Sequence, residues 1–276
     1  MATINCKGQL IDLSIPKVMG IVNVTPDSFY DGGKLQSDRL ILNQVEKMLI
    51  DGATFIDIGG QSTRPNSDFL SPEEEIRRVL PAVELILNHF PDTLLSIDTF
   101  HSQVAAESLE LGATLINDVS AGGIDSKMFE VIAKYQVPYI MMHMRGTPQT
   151  MQNENQYEDL VKEVLFYFSQ KIALARSFGI NDLIIDPGFG FAKNVTQNFE
   201  LLSKLDLLQF TELPILVGVS RKSMIYKTLN STPEEALNGT TVLNTIALTK
   251  GASILRVHDV KEAVECVKLF DSLNRK

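Results

Sequence analysis

Short, almost wholly apolar runs alternate with longer segments of helical period along the whole chain. Eight of the runs predict core strands: Val18–Val22, Phe55–Ile58, Leu94–Ile97, Leu115–Ile116, Tyr139–Met142, Leu183–Ile185, Ile215–Val217 and Ile254–Val257. None alternates apolar with polar residues as a strand with one wet face would. Both faces are therefore expected to be covered, the usual condition of a parallel sheet. Amphipathic segments at 40–50, 102–111, 127–135, 159–178, 197–208, 234–250 and 261–273 predict the intervening helices. A further helix is predicted to start at Ser71-Pro72. There a hydroxyl N-cap and a first-turn proline are followed by Glu73, Glu74 and Glu75 on the positive end of the helix dipole. Gly52, Gly112, Gly179 and Gly251 fall where a helix would end in a left-handed residue. Eight strand–helix repeats favour a closed (β/α)8 TIM barrel in one domain over 1–276. The rival, an open doubly wound sheet, would announce a glycine-rich nucleotide turn after its first strand, and that turn is absent. A possible turn at Lys7-Gly8 suggests an N-terminal hairpin closing the barrel bottom.

A length of 276 residues suits one barrel, long enough to bury its core without a disulfide or metal staple. Cys6 and Cys266 stand at opposite ends and match no metal-ligand spacing, so two reduced thiols in a cytoplasmic protein are expected. The net charge of -9 argues against general nucleic-acid binding, which needs a basic face. It leaves a small anion open, because a few local cations and helix N-termini set the field inside a pocket. The N-terminal residues lack the apolar stretch of a signal peptide, and no run approaches the roughly 20 residues of a membrane span.

Polar residues cluster just after each apolar run. Asn23 and Thr25-Pro26-Asp27-Ser28 follow the first, and Gly59-Gly60-Gln61-Ser62-Thr63-Arg64-Pro65 follow the second. Asp98, Asn117, His143 and Asp186 end the next four. Ser220-Arg221-Lys222 follow the seventh, and the eighth holds Arg256 and ends in His258 and Asp259. In a (β/α)8 barrel all these positions converge on one mouth, where active sites lie. Any one alone reads more readily as a helix cap or a carbonyl partner; eight in register do not. Asp98, Asn117, Asp186 and Lys222 offer the directional acceptors and donors that suit a flat nitrogen heterocycle. Arg64, Ser220, Arg256 and His258 suit anionic groups, since guanidinium forks match phosphate and carboxylate oxygens. The residues themselves thus predict a barrel enzyme for a polar heterocycle bearing an anion.

The same residues carry a family resemblance. MGIVNVTPDSFYDGG (19–33), IDIGGQSTRP (56–65), LLSIDTF (94–100), INDVSAG (116–122), MHMRG (142–146), DPGFGF (186–191), VGVSRKSMI (217–225) and LRVHDV (255–260) resemble, in order, segments of the dihydropteroate synthases. The resemblance implies condensation of a pterin diphosphate with p-aminobenzoate in folate biosynthesis, by departure of diphosphate and attack of the arylamine. It implies that Asn23 binds the Mg²⁺ that accompanies the diphosphate, and that Thr63, Arg256 and His258 hold the diphosphate. Asp98, Asn117, Asp186 and Lys222 would grip the pterin, with Met142, Phe191 and Gly218 around it. Arg64, Pro65, Ser220 and the loop at Phe29 would build the arylamine site. Asp98, Lys222, Arg256 and His258 would act in catalysis, in a homodimer. Departures from the family pattern fall at Tyr30, Gln61, Asn66, Ala192 and Asn194.

Other residues are expected to be passive: His89, His101 and the run Glu73–Glu75 solvated, Met141, Met144 and Met151 in packing or loops, Asp57 structural. Two rivals stand beside the synthase: a pterin-binding barrel that transfers a methyl group, and a catalytically silent pterin-binding relative. The first has no need of STRP, SRKS and RVHD. The second would be expected to lack Lys222, Arg256 or His258.

Overall fold

A computed structural model of the chain describes residues 3–24, 34–61, 70–147, 150–151 and 154–274. Eight parallel strands make one sheet: β3 (Lys17–Asn23), β4 (Phe55–Gly59), β5 (Leu94–Asp98), β6 (Leu115–Asp118), β7 (Tyr139–Met142), β8 (Leu183–Asp186), β9 (Leu216–Val217) and β10 (Ile254–Val257). From β3 to β8 each strand pairs with the next in the chain, and β10 lies between β9 and β3, with Leu255 opposite Val18. The circle is shut between β8 and β9 by an isolated bridge, Ile185 to Ile215, and the Ile185 N–H donates to the Pro214 carbonyl at 3.0 Å. The result is the predicted barrel, its strand residues buried on both faces.

The helices α1 (Lys34–Ile50), α2 (Pro72–His89), α3 (Ser102–Leu111), α4 (Met128–Tyr135), α5 (Leu160–Ser177), α6 (Val195–Ser203), α7 (Ser223–Thr228), α8 (Leu237–Thr249) and α9 (Val260–Asn274) follow the strands. Ser71 caps α2 as expected, accepting from the Glu74 N–H at 3.3 Å. Asn194 and Gln197 form a reciprocal capping box at α6, two donor–acceptor pairs of 2.9 Å. The segment predicted as one helix over 197–208 is instead α6 followed by a 3-10 turn, Leu205–Thr211. Three residues per turn place Leu205 and Leu208 on one line, and both are fully buried. α7, only 6 residues long, has too little period to be read from sequence.

The hairpin exists too: β1 (Thr3–Cys6) pairs with β2 (Gln9–Asp12) through Lys7 and Gly8, at φ 50° and 92°. Its Ile4, Cys6, Ile11 and Leu13 pack on a ring of one apolar residue from each barrel strand, Met19, Phe55 and Leu94 among them. This plug seals the end opposite the polar mouth. The apolar contacts of Met141, Met144 and Met151 agree with their expected packing role.

Two expectations of solvation are corrected. Glu75 is fully buried and pairs with His101 Nδ1 at 2.7 Å, and the His101 side chain is only 15% exposed. Glu75 stands one helical turn before Val79 and two before Val83, on the stripe that α2 turns to the barrel. Among the described residues no helix is long and apolar enough to cross a membrane.

Candidate active site

The strand register lines up the carboxyl ends. Asn23 lies opposite Gly59, Gly59 opposite Asp98, and Asp98 opposite Asn117, a continuous row across β3 to β6. Met142 lies opposite Asp186 on the far side. Six of the predicted residues, Asp98, Asn117, Asp186, Lys222, Arg256 and His258, are thereby gathered at the mouth.

Arg256 is the hub. Its Nε donates to Asp57 Oδ2 and its Nη2 to Asp98 Oδ2, both at 2.6 Å, and Asn117 Nδ2 donates to the same Asp57 oxygen at 3.0 Å. Burial opposes the guanidinium charge, but Asp57 and Asp98 more than offset it and hold its pKa above the ordinary arginine value. Burial pushes Asp98 up to about 7, with Arg256 pulling it down and Asp57 pushing it further up. Asp57, fully buried, is half of the cradle for Arg256, in line with the structural part expected of it. One sequence signal pointed there. A lone acid in FIDIG, a strand covered on both faces, requires a cation. Its Oδ1 has no hydrogen-bond partner among the described residues.

On the other side, Lys222 donates to the Phe189 carbonyl, and its ammonium lies 4.8 Å from the centre of the Phe191 ring. Burial lowers Lys222 to about 8, opposed by Asp186 and helped by Arg256. Asp186 is raised by burial against the pull of Lys222, and accepts from the Gly188 N–H at 2.8 Å. Met142 is buried in a small apolar cluster beside the partly buried Phe191. Gly218 leaves space beside Arg256, whose Cβ would lie 3.9 Å from any added glycine Cβ. Ala192 takes φ 50° where the resembling family has glycine, a left-handed conformation that costs an alanine about 1–2 kcal/mol. Gln61, another departure, accepts from the Leu70 N–H at 2.8 Å.

His258 stands at the exposed rim. Ser220 Oγ lies 3.0 Å from His258 Nδ1 and accepts from the His258 N–H at 3.2 Å. Hydroxyl and imidazole therefore share a hydrogen bond whose direction follows the tautomer of the ring. Protein packed round the ring, and then the Arg256 charge, draw its pKa down to about 4. Ser220, expected at the arylamine site, is thus engaged with His258. Sequence reasoning also passed over Arg221 and Asp259. Arg221 grips Asp259 with two bonds of 2.8 Å and donates to the Pro233 and Glu234 carbonyls at 3.0 and 2.9 Å. That pair ties the turn bearing Ser220 and Lys222 to the segment bearing His258.

Asn23 is exposed at the end of β3. A Cβ on Gly59 would lie 3.7 Å from Asp98 Oδ2 and 3.8 Å from Asn23 Oδ1, so glycine keeps open a space that two oxygens border. Among the described residues no group of three His, Cys, Asp or Glu is placed to hold a metal. Mg²⁺ commonly takes only one or two protein oxygens and completes its shell with phosphate and water, so this donor set fits it. Thr63, Arg64, Pro65, Phe29, Tyr30 and Asn66 lie outside the described residues.

The family described as pterin binding enzyme matches residues 19–258. Dihydropteroate synthase of Escherichia coli (strain K12) is 44% identical over 268 residues, spanning 96% of this chain and 94% of that one. The Yersinia pestis dihydropteroate synthase, solved as a sulfonamide drug complex, superposes with a TM-score of 0.91 at 44% identity, over 98% of each chain. The Xanthomonas albilineans dihydropteroate synthase, solved with 4-aminobenzoic acid, gives 0.92 at 36% identity, over 99% of this chain and 98% of that one. A closed parallel barrel with this row of polar strand ends defines the class: a pterin-binding barrel enzyme. Within that class, the chain belongs to the dihydropteroate synthase family.

Proposed function

We propose that the protein condenses 6-hydroxymethyl-7,8-dihydropterin diphosphate with p-aminobenzoate, giving 7,8-dihydropteroate and diphosphate. Its relatives bear the name of that reaction, and one was solved with 4-aminobenzoic acid. The observation that carries the reading at this site is the row Asp98–Asn117 with Arg256 cradled against it. A heterocycle with several ring N–H groups needs acceptors; Asp98, Asn117 and Asp186 supply them, and Lys222 supplies a donor.

Arg256 and His258 bring a fixed positive charge and an imidazole to the mouth, where a leaving diphosphate gathers charge as its bond to the pterin methylene breaks. His258, neutral when the mouth is empty, gains affinity for a proton as that charge arrives. The cation left on the methylene is conjugated with the ring, and ionised Asp98 and Asp186 stabilise it. The arylamine nitrogen then attacks the methylene and sheds a proton. Thr63, Arg64, Pro65 and Ser220 complete the reading, on the diphosphate and arylamine sides. Asn23, with Asp98 near it, would hold Mg²⁺, which supplies Lewis-acid stabilisation of the leaving diphosphate. Exposed Val242 and Ile246 on α8 and Leu269 and Leu273 on α9 support a homodimer through those helices, and two buried free thiols support a cytoplasmic setting.

The test is diphosphate release from the pterin diphosphate with Mg²⁺, with and without p-aminobenzoate. Dihydropteroate formation that a sulfonamide suppresses is expected; pterin binding without turnover would refute catalysis.

A further inference from the structure

Behind Asp186 lies a second enclosed cation. The Lys193 side chain is buried, and its ammonium has three acceptors, each at 3.0 Å: His143 Nδ1, the Gly188 carbonyl and the Phe191 carbonyl. All three of its N–H directions are thereby used. His143 is packed among Tyr157, Tyr167 and Phe168. Burial, and then Lys193, drive its pKa far down, so the ring is neutral and Nδ1 accepts.

Gly188 joins Lys193 to Asp186. Its N–H donates to Asp186 Oδ1 at 2.8 Å while its carbonyl accepts from Lys193. Only glycine fits between them: its φ is +70°, and a Cβ would fall 2.1 Å from the His143 carbonyl oxygen. The same turn offers the Phe189 carbonyl and the Phe191 ring to Lys222. Met142, Met144, Met151 and Ala192 form an apolar cluster close by, so a methionine in place of Lys193 would avoid the loss of hydration. The charges also act on each other. Asp186 raises the Lys193 pKa and Lys193 lowers that of Asp186. Burial nonetheless brings Lys193 down to about 7, with Lys222 and Arg145 adding to the fall. Lys222 and Arg256 face Asp186 from the other side.

We propose that Lys193 is a positioning residue of the pterin site: gripping the turn through Gly188 and Phe191, it holds Asp186 ionised and in place as an acceptor. The proposal rests on the reading of Asp186 as a pterin ligand. A mere packing residue would affect affinity equally at every pH; a countercharge affects it only where Lys193 is protonated.

The experiment is equilibrium binding of 6-hydroxymethylpterin between pH 6 and 9 to the native chain, Lys193→Met and Lys193→Arg. Lys193→Met is expected to weaken binding about tenfold at pH 7 and to converge on the native curve by pH 9. Lys193→Arg, which stays charged across the range, is expected to bind as the native chain does at pH 6 and to lack the change that follows Lys193 deprotonation near pH 7. Uniform weakening across the range, or none, would overturn the proposal. Failure of the native chain to bind the pterin would instead undo the reading of the site. If Lys193→Met does not fold, the ¹³C carboxyl resonance of Asp186 is followed in the native chain. A step near pH 7 as Lys193 titrates is expected, and a resonance blind to that titration overturns the proposal.

Discussion

Arg256 shares its guanidinium between Asp57 and Asp98, and the two carboxylates are not equivalent. Asp98 ends its strand at the mouth, where a ligand can compete for it; Asp57 is sealed below and touches only protein. Asp57→Asn therefore removes the fixed half of the cradle and leaves Arg256 free to swing toward Asp98. Steady-state kinetics should show kcat/KM lowered about 10- to 100-fold, or ~1.4 to 2.7 kcal/mol of transition-state stabilisation. A second single-residue prediction concerns Gly188. Gly188→Ala places a methyl against the His143 carbonyl in a left-handed turn, so both the backbone and the β7–β8 spacing must give way. Strain of this kind is worth about 1–3 kcal/mol before any clash, so chemical denaturation should place the variant at least that far below the native chain.

At the level of elements, the N-terminal hairpin and the mouth are separable. Ile4 lies in the bottom plug, buried against a ring of strand residues, at the opposite end from Arg256. Ile4→Ala should cost about 2–4 kcal/mol by denaturant titration and leave the pterin KM unchanged. The strands were legible because a parallel barrel covers both faces, which makes each strand a short apolar run, and because polar residues resume where each reaches the mouth. Tyr139–Met142 and Ile254–Val257 match to the residue. What escaped is what depends on partners distant in the chain. Glu75 looked like the last acid of a solvated cap, and only the approach of His101 from the next unit makes its burial tolerable. Arg221 and Asp259, like Asp57 and Arg256, are far apart in sequence, and local period says nothing about such pairs. The break at Lys204 likewise follows from how Leu205 and Leu208 reach the core.

Across the whole molecule, several buried titratable groups meet at the mouth, and their shifts set a pH window. The kcat/KM profile reports groups of the free enzyme. It should rise through about pH 7 as Asp98 ionises and fall above about pH 8 as Lys222 loses its proton. Stability follows different signs. Asp98, raised from 3.8 to about 7, binds a proton in the folded chain that the unfolded chain has released, so its contribution is lost as pH rises through 7. Lys193 and Lys222, lowered from 10.5 to about 7 and about 8, do the reverse: the unfolded chain holds the extra protons, and stability is regained as pH rises. The unliganded protein should therefore melt higher at pH 9 than at pH 7, as calorimetry can check.

The barrel closes between β8 and β9 through one isolated bridge, Ile185 to Ile215, where other neighbouring strands share ladders. Asp186 follows one side of that seam, and Ser220 and Lys222 the other. A heterocycle held between Asp186 and Lys222 would act as a staple across the weakest joint of the ring. Substrate would then be part of the architecture while it is bound: amide exchange at Ile185 should outpace that at Ile97 in the empty protein and slow selectively when the pterin is present.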